Sequence, residues 1–293
     1  MKTTYLLKNL MLVSRNREWL VSNIPLGEKV AYYRAFLAAY ARLAVKKDKR
    51  IRYFGHDFYY DNPATPFNLQ NYPFEITHKI LRHMKITPKH VIDIGGNIGQ
   101  FPITMAAIVP DAKVDALEPN GDIYKILKKN ASAYNNVKTY NVGVGASKAS
   151  AKMFYEPTRS GVGSLLQENA GDKARLKEIP ITLVDDVPKL TKRDHYDLVT
   201  IDVEGYEMEV VKCLSGLKTR YLFMEVSTQG RSKTYRHATL FENIKKALGN
   251  FDIVYATGYS STSAPTFDIL FEFLDDELAA TKPEKRQPKP TLR

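Results

Sequence analysis

The sequence predicts an open α/β sheet of mostly parallel strands that holds its ligand at their carboxyl ends. Three observations carry this. His90 to Gly99 reads His-Val-Ile-Asp-Ile-Gly-Gly-Asn-Ile-Gly, an apolar run, an acid, and glycines that turn the chain into a helix near Gln100. A second strand, Lys113 to Leu117, is again tipped by an acid, Glu118, which lies 25 residues beyond Asp93. Two later apolar strands end in Asp202 and Glu225, and helical patterns alternate with them. Open sheets of this kind bind ligands at that edge.

The glycine spacing narrows the ligand. A dinucleotide fingerprint starting at Gly95 would need glycines where Asn97 and Gln100 stand, and no phosphate-loop Gly-Lys-Ser/Thr follows. What stands is Asp93-x-Gly95-x-Asn97-x-Gly99, a form typical of S-adenosylmethionine sites. That cofactor presents a cationic sulfonium, an amino-acid end and a ribose. Glu118 falls near the offset at which an acid holds ribose hydroxyls. Four edge carboxylates without a lysine or arginine among them suit a sulfonium better than a phosphate.

Along the chain, residues 1–20 are too short and too interrupted for a membrane span, and they lack a signal-peptide core. Val30, Tyr33, Leu37, Tyr40 and Ala44 predict a helix that ends at the Lys46–Arg50 charge cluster. Arg52 to Tyr60 is rich in aromatics and reads as a hairpin or edge, followed by turns at Asp61-Asn62-Pro63 and Thr65-Pro66. Phe74 to Met84 reads as the helix leading into the first sheet strand. After Glu118, Ile123, Ile126, Leu127, Ala131 and Tyr134 share one helix face, and Val137 to Val144 reads as the third strand.

Asn141 suits either an adenine edge or a plain loop. Ser150–Glu156 and Glu178–Val184 read as strands around a Ser160–Ser164 loop. Tyr196 to Ile201 is the fourth sheet strand. The helix after it turns Tyr206, Val210, Val211 and Leu214 inward and Glu207, Glu209 and Lys212 outward, ending at Gly216. Tyr221–Val226 is the next strand, and Leu240–Leu248 a helix capped by Gly249. Phe251–Ala256 and Phe267–Phe273 suit an antiparallel edge pair.

Composition sets the outer bounds. The single Cys213, in a helical stretch, allows no internal disulfide and fits a reducing, cytoplasmic setting. No zinc pattern is present. Residues 1–50 carry +8 and residues 281–293 carry +4, which leaves −1 between them. The basic character therefore belongs to the ends, which suits peripheral contact with an anionic membrane and argues against a nucleic-acid channel in the core. The chain divides into a basic, partly helical extension (1–70), an α/β domain (71–276) and a basic, proline-containing tail (277–293) whose composition predicts disorder.

From Val91 to Val226 the chain resembles the FkbM family of S-adenosylmethionine-dependent methyltransferases. The resemblance rests on Asp93–Gly99, Glu118-Pro119, Asn130 and, most specifically, Ile201-Asp202-Val203-Glu204-Gly205-Tyr206-Glu207. It implies the seven-stranded, Rossmann-like class I methyltransferase sheet with helices on both faces. It also implies O-methylation of a sugar, glycolipid or small metabolite. Two positions depart from the family pattern: Thr200 stands where lysine is frequent, and Gly96 where alanine is usual.

On this reading Asp93, Gly95, Gly96, Asn97, Gly99, Glu118, Pro119, Asn141 and Asp202 bind the cofactor. Asp202 and Glu204 stand at the reacting end, one of them accepting the acceptor's hydroxyl proton. Oxygen ligands at Asp202, Glu204 and Glu225 would suit Mg²⁺, but the mechanism expected here uses no metal.

The rival readings are an RNA ribose O-methyltransferase and a cofactor-binding module without activity. Amino-methylating enzymes need Asn/Asp-Pro-Pro-aromatic where Asp202-Val203-Glu204-Gly205 stands. Cytosine C5 chemistry needs a positioned cysteine. Tyr124 and Lys128 match a dehydrogenase spacing but lie on the helix after the second strand.

Overall fold

The computed structural model describes residues 30, 34, 49–61, 73–145, 149–156, 159–165, 177–184, 186–214, 217–227, 241–259 and 266–274. Strands β1 (Arg50–Tyr53) and β2 (His56–Tyr59) precede helix α1 (Glu75–His83). Then come β3 (His90–Ile94), α2 (Gln100–Ile108), β4 (Lys113–Leu117), α3 (Gly121–Ala131) and β5 (Val137–Tyr140). A middle group follows, with β6 (Gly143–Val144), β7 (Ala149–Glu156), β8 (Arg159–Ser164) and β9 (Lys177–Val184). The last part is α4 (Val187–Thr191), β10 (His195–Ile201), α5 (Glu207–Cys213), β11 (Lys218–Ser227), α6 (Phe241–Leu248), β12 (Phe251–Tyr259) and β13 (Thr266–Phe273).

The main sheet has seven strands in the order β12-β13-β11-β10-β3-β4-β5. All its pairs are parallel except those of β13, which runs antiparallel to β11 and β12. The expected edge pair is thus present. Alternating side chains explain why the strands read as continuous apolar runs. Ile92, Ile94, Val199, Ile201, Leu222 and Met224 bury one face under α5 and α6, against Val210, Val211, Ile244 and Leu248. Val91, Val114, Leu198, Tyr221 and Phe223 bury the other face under α1 and α2, against Ile80 and Met105.

Two sequence expectations need correction. Val137 to Val144 is not one strand. It ends at Tyr140, and Gly143–Val144 pairs in parallel with β9 in a separate four-stranded sheet ordered β6-β9-β7-β8. The Ser160–Ser164 loop is in fact strand β8, paired with β7. Its glycines masked it. At Gly163 a Cβ would lie 2.6 Å from the Met153 Cε, so glycine there gives room to the tip of a neighbouring side chain within the sheet.

The aromatic hairpin forms with Arg50 opposite Tyr59 and Tyr53 opposite His56. Its turn residues Phe54 and Gly55 both take left-handed backbone, as a tight two-residue hairpin requires. Ile51, Tyr53, Phe58 and Tyr60 are buried, and the Tyr53 hydroxyl hydrogen-bonds the Thr104 hydroxyl at 2.7 Å. Asn130, 2% exposed, fixes this hairpin to the turn after β3. It accepts the Tyr59 N–H at 2.7 Å and donates to the carbonyls of Tyr59 (2.9 Å) and Ile98 (2.8 Å).

Val30 and Arg34 are helical. The rest of the expected 30–44 helix, the turns at 62–66, Gly216, Leu240 and the 281–293 tail lie outside the described residues. Among the described residues no helix is long and apolar enough to cross a membrane. Replacing Asn130 with alanine strands three backbone groups. Urea denaturation should show a stability loss of about 1–3 kcal/mol or more with an unchanged slope, and an unchanged midpoint would refute the clamp.

Candidate active site

The site is built where two turns meet. After β3 the backbone is left-handed at Gly95, Asn97 and Gly99, with φ of +98°, +47° and +97°. The Gly95 and Gly96 N–H groups donate to the Leu117 carbonyl at 3.0 and 2.8 Å, which seats the turn on β4. The Asp202 N–H donates to the Ile94 carbonyl at 3.0 Å. A Cβ at position 95 would stand 1.9 Å from the Asp202 carbonyl oxygen, so only glycine fits. At Gly96 the nearest atoms would be 3.4 Å away, so an alanine there fits without strain.

These turns enclose a cavity of about 260 Å³. Its floor is Asp93, Gly95, Gly96, Asn97, Glu118, Pro119, Asn120 and Thr200 to Glu204. Met153, Gly163, Leu165 and Leu183 of the side-sheet region line it, as do Ile76, Gln100, Phe101, Tyr206 and Phe223. Four carboxylates line it (Asp93, Glu118, Asp202, Glu204), and no lysine, arginine or histidine among the described residues does.

Glu118 is buried and holds two turns at once. Its Oε2 accepts the Asn97 N–H at 2.9 Å and its Oε1 the Asn120 N–H at 2.7 Å. Each oxygen keeps a lone pair, enough for a ribose hydroxyl. Burial pushes its carboxyl up to about 7, with the two N–H groups opposing and Asp93 adding to the rise. Asp93 is also raised to about 7 by burial, against a 2.6 Å hydrogen bond from the Thr200 hydroxyl to its Oδ1. Thr200 therefore pairs Asp93 without neutralising it.

Asp202 is accessible by area yet enclosed by protein, because its free surface faces the cavity. Enclosure raises its carboxyl well above the ordinary range, and Glu204, Glu225, Glu207 and Asp268 raise it further. Glu204 takes left-handed backbone at φ +53°.

Three residues of the expected site lie outside the cavity lining. Asn141 does not line the cavity. Its amide nitrogen donates to the carbonyls of Glu118 (2.8 Å) and Pro119 (3.1 Å), so it fixes the turn after β4. Gly99 also lies outside the lining and serves helix packing, since a Cβ there would sit 3.0 Å from Leu127 and 3.1 Å from Ile103. Glu225 tips β11 but is outside the lining as well.

Glu207, expected to face outward, is buried, and its carboxylate accepts the Gly205 N–H at 2.9 Å. Helical periodicity does not see this, because a residue in a helix's first turn can fold back over the preceding loop. Asn120, which caps α3 through the Asp122 and Ile123 N–H groups, was legible only as an asparagine before a helix. Among the described residues no group of three His, Cys, Asp or Glu side chains is arranged to hold a metal ion.

The sheet order, the glycine cradle and the acid-lined cavity define a class I methyltransferase domain. The chain belongs to the FkbM family, whose model, described as the methyltransferase FkbM domain, matches residues 93–253. S-adenosylmethionine is the cofactor that goes with this family, and the donor set fits it: carboxylates for a cation and hydroxyls, and a turn without side chains for close approach.

Methyltransferase 1 of Beauveria bassiana is 26% identical over 146 residues, covering 42% of this chain and 57% of that protein. Methyltransferase sdnD of Sordaria araneosa is 28% identical over 152 residues, covering 42% of this chain and 59% of that one. The chain thus spans somewhat over half the length of these relatives. Among solved structures, magnesium protoporphyrin IX methyltransferase of Synechocystis, with bound cofactor, aligns with a TM-score of 0.44 and 12% identity, covering 82% and 97% of the two chains.

The raised acids predict a pH dependence. Carboxyls titrate near 4 when unfolded, whereas Asp93, Glu118 and Glu207 titrate at about 7 when folded. Between these values the folded protein binds more protons, so their contribution is full below about pH 4 and is lost as pH rises through about 7. Thermal unfolding of the ligand-free protein should show Tm falling from about pH 5 to about pH 8, with the cationic cofactor restoring more at the higher pH. A Tm that rises across this window would show that the acids are not held protonated.

Proposed function

We propose that the protein transfers a methyl group from S-adenosylmethionine to a hydroxyl oxygen of an uncharged acceptor, a sugar, glycolipid or small metabolite. One observation carries this reading. Asp202 and Glu204 both line the cavity after β10, with the Asp202 carbonyl against Gly95 and no basic side chain in the described lining.

When bound, the cofactor supplies a methyl group already activated by its sulfonium; the acceptor oxygen forms the new C–O bond as the S–CH₃ bond breaks and its electron pair goes to sulfur. The protein aligns the two partners and removes the hydroxyl proton. Asp202 or Glu204 takes that proton. Asp202 is fitted to it, because enclosure among acids makes its carboxylate more basic than an ordinary one. A cation beside it favours the ionised carboxylate, the form that can accept a proton.

The same lining disfavours acceptors with phosphates. An RNA ribose acceptor would need cationic groups along its backbone, and the excess positive charge lies instead in residues 1–50 and 281–293. Those basic ends support a further proposal, that a cytoplasmic enzyme works against an anionic membrane surface near lipid-linked glycans. Co-sedimentation should then require anionic lipid in the vesicles and fade with salt, while equal pelleting with neutral vesicles, or none with either, would reject it.

Incubation with methyl-labelled cofactor and fractionated glycan, lipid and RNA extracts tests the chemistry. Label in an ether of the glycan, lipid or metabolite fraction is expected. Label confined to RNA would favour ribose methylation, and cofactor binding without transfer to any fraction would favour a binding module. On the acceptor so found, Glu204→Gln should slow turnover roughly 10²–10⁴-fold while sparing cofactor affinity, whereas Asp202→Asn should slow turnover and weaken cofactor binding as well. Full rates in both variants would leave alignment as the whole mechanism.

A further inference from the structure

We propose that Glu207 is the positioning residue of the active-site loop: its buried carboxylate holds Asp202 and Glu204 in register with the glycine turn and thereby sets affinity for the methyl donor. This rests on the reading that the Asp93–Gly99 turn and Asp202 receive that donor.

The loop from Asp202 to Gly205 needs something to hold it. Glu204 and Gly205 are consecutive left-handed residues, with φ of +53° and +102°, and Glu204 has a side chain that makes this conformation costly. Tyr206, the N-cap of α5, supplies no side-chain cap. Glu207 fills the gap. Its Oε1 accepts the Gly205 N–H at 2.9 Å and, more loosely, the Val203 N–H at 3.4 Å. One carboxylate oxygen therefore spans the residues on both sides of Glu204.

The opposite side of the loop is pinned by the Asp202 N–H on the Ile94 carbonyl at 3.0 Å, and its carbonyl abuts Gly95. Releasing the Glu207 side would move Asp202, Glu204 and the Gly95 wall together. A plain helix cap explains less. A cap works as well from solvent, whereas Glu207 is 1% exposed and its Oε2 is buried with no hydrogen-bond partner among the described residues. Such an arrangement carries a desolvation cost that an exposed acid would avoid.

Three substitutions separate hydrogen bonding, charge and reach. Gln keeps an oxygen acceptor at the same distance without charge, Asp keeps the charge but falls one methylene short, and Ala keeps neither. Calorimetry with S-adenosylmethionine and with its demethylated thioether product is the binding readout, and hydrogen exchange at the Gly205 amide is the spectroscopic one.

Glu207→Ala and Glu207→Asp should each weaken binding about tenfold or more and speed Gly205 exchange, while Glu207→Gln stays within about threefold of the parent. If Glu207→Ala does not fold, the Gln and Asp variants decide. Binding unchanged in Glu207→Asp, with only a lower Tm, would reduce Glu207 to a helix cap and overturn the proposal. Glu207→Gln as weak as Glu207→Asp would overturn it as well, because the retained acceptor would not have rescued the loop. A parent protein that binds neither ligand would instead defeat the methyl-donor reading itself.

Discussion

The carbonyl oxygen of Asp202 occupies the place where a side chain at position 95 would begin. This backbone contact is the constraint on which the site depends. β3 lies between β4 and β10 in the sheet, all three parallel, so the chain leaves β3 at the point where the strand order reverses direction. The turns after β3 and β10 then rise side by side from neighbouring strands with no room for a side chain between them. Glycine at 95 lets them close, and hydrogen bonds to the Leu117 and Ile94 carbonyls fix them at that distance. The acids at the ends of β3, β4 and β10 consequently face one cavity, although they are spread over more than a hundred residues of chain.

Bringing carboxylates together in a partly closed space has a cost that shapes the chemistry. Asp93 and Glu118 are both held at about 7 by burial, even though hydroxyl and backbone donors work against it. Lysine beside Asp93 would have offset that cost internally. Threonine supplies a hydrogen bond instead and leaves the negative charge available to a ligand. A cation entering this cavity gains from every acid that ionises around it, while a phosphate would meet only repulsion. The electrostatics thus suit the cationic sulfonium of the donor.

The fold was legible because both faces of the main sheet are covered, so its strands read as largely apolar runs with acids at or near their ends. The glycine spacing and Glu118 were legible for a related reason: close backbone approach, and a buried carboxylate that holds two turns, restrict residue type more tightly than packing does. What the sequence concealed lies where local pattern and tertiary contact disagree. Gly161 and Gly163 read as a loop, yet both lie in the edge strand β8, which pairs with β7. Asn141 read as a ligand contact, yet two backbone carbonyls take up its amide nitrogen. Glu207 read as outward by helical period, but a first-turn side chain can reverse over the loop before it.

The hairpin at residues 50–59 shows how far the site's support extends beyond the matched family region, which begins at residue 93. Its β2 backbone is read by Asn130 of α3 through both the N–H and the carbonyl of Tyr59, and the same amide holds the Ile98 carbonyl inside the glycine turn. Lys129 adds a charge over the Tyr59 ring at 3.5 Å. The turn is therefore braced from three directions: by β4 through Leu117, by the Asp202 loop, and by the hairpin through Asn130. A turn with three left-handed residues has little local propensity to hold its shape. Its geometry is imposed by these contacts, so a chain shortened to the family region would keep the acids and glycines and lose one of the braces that make them a site.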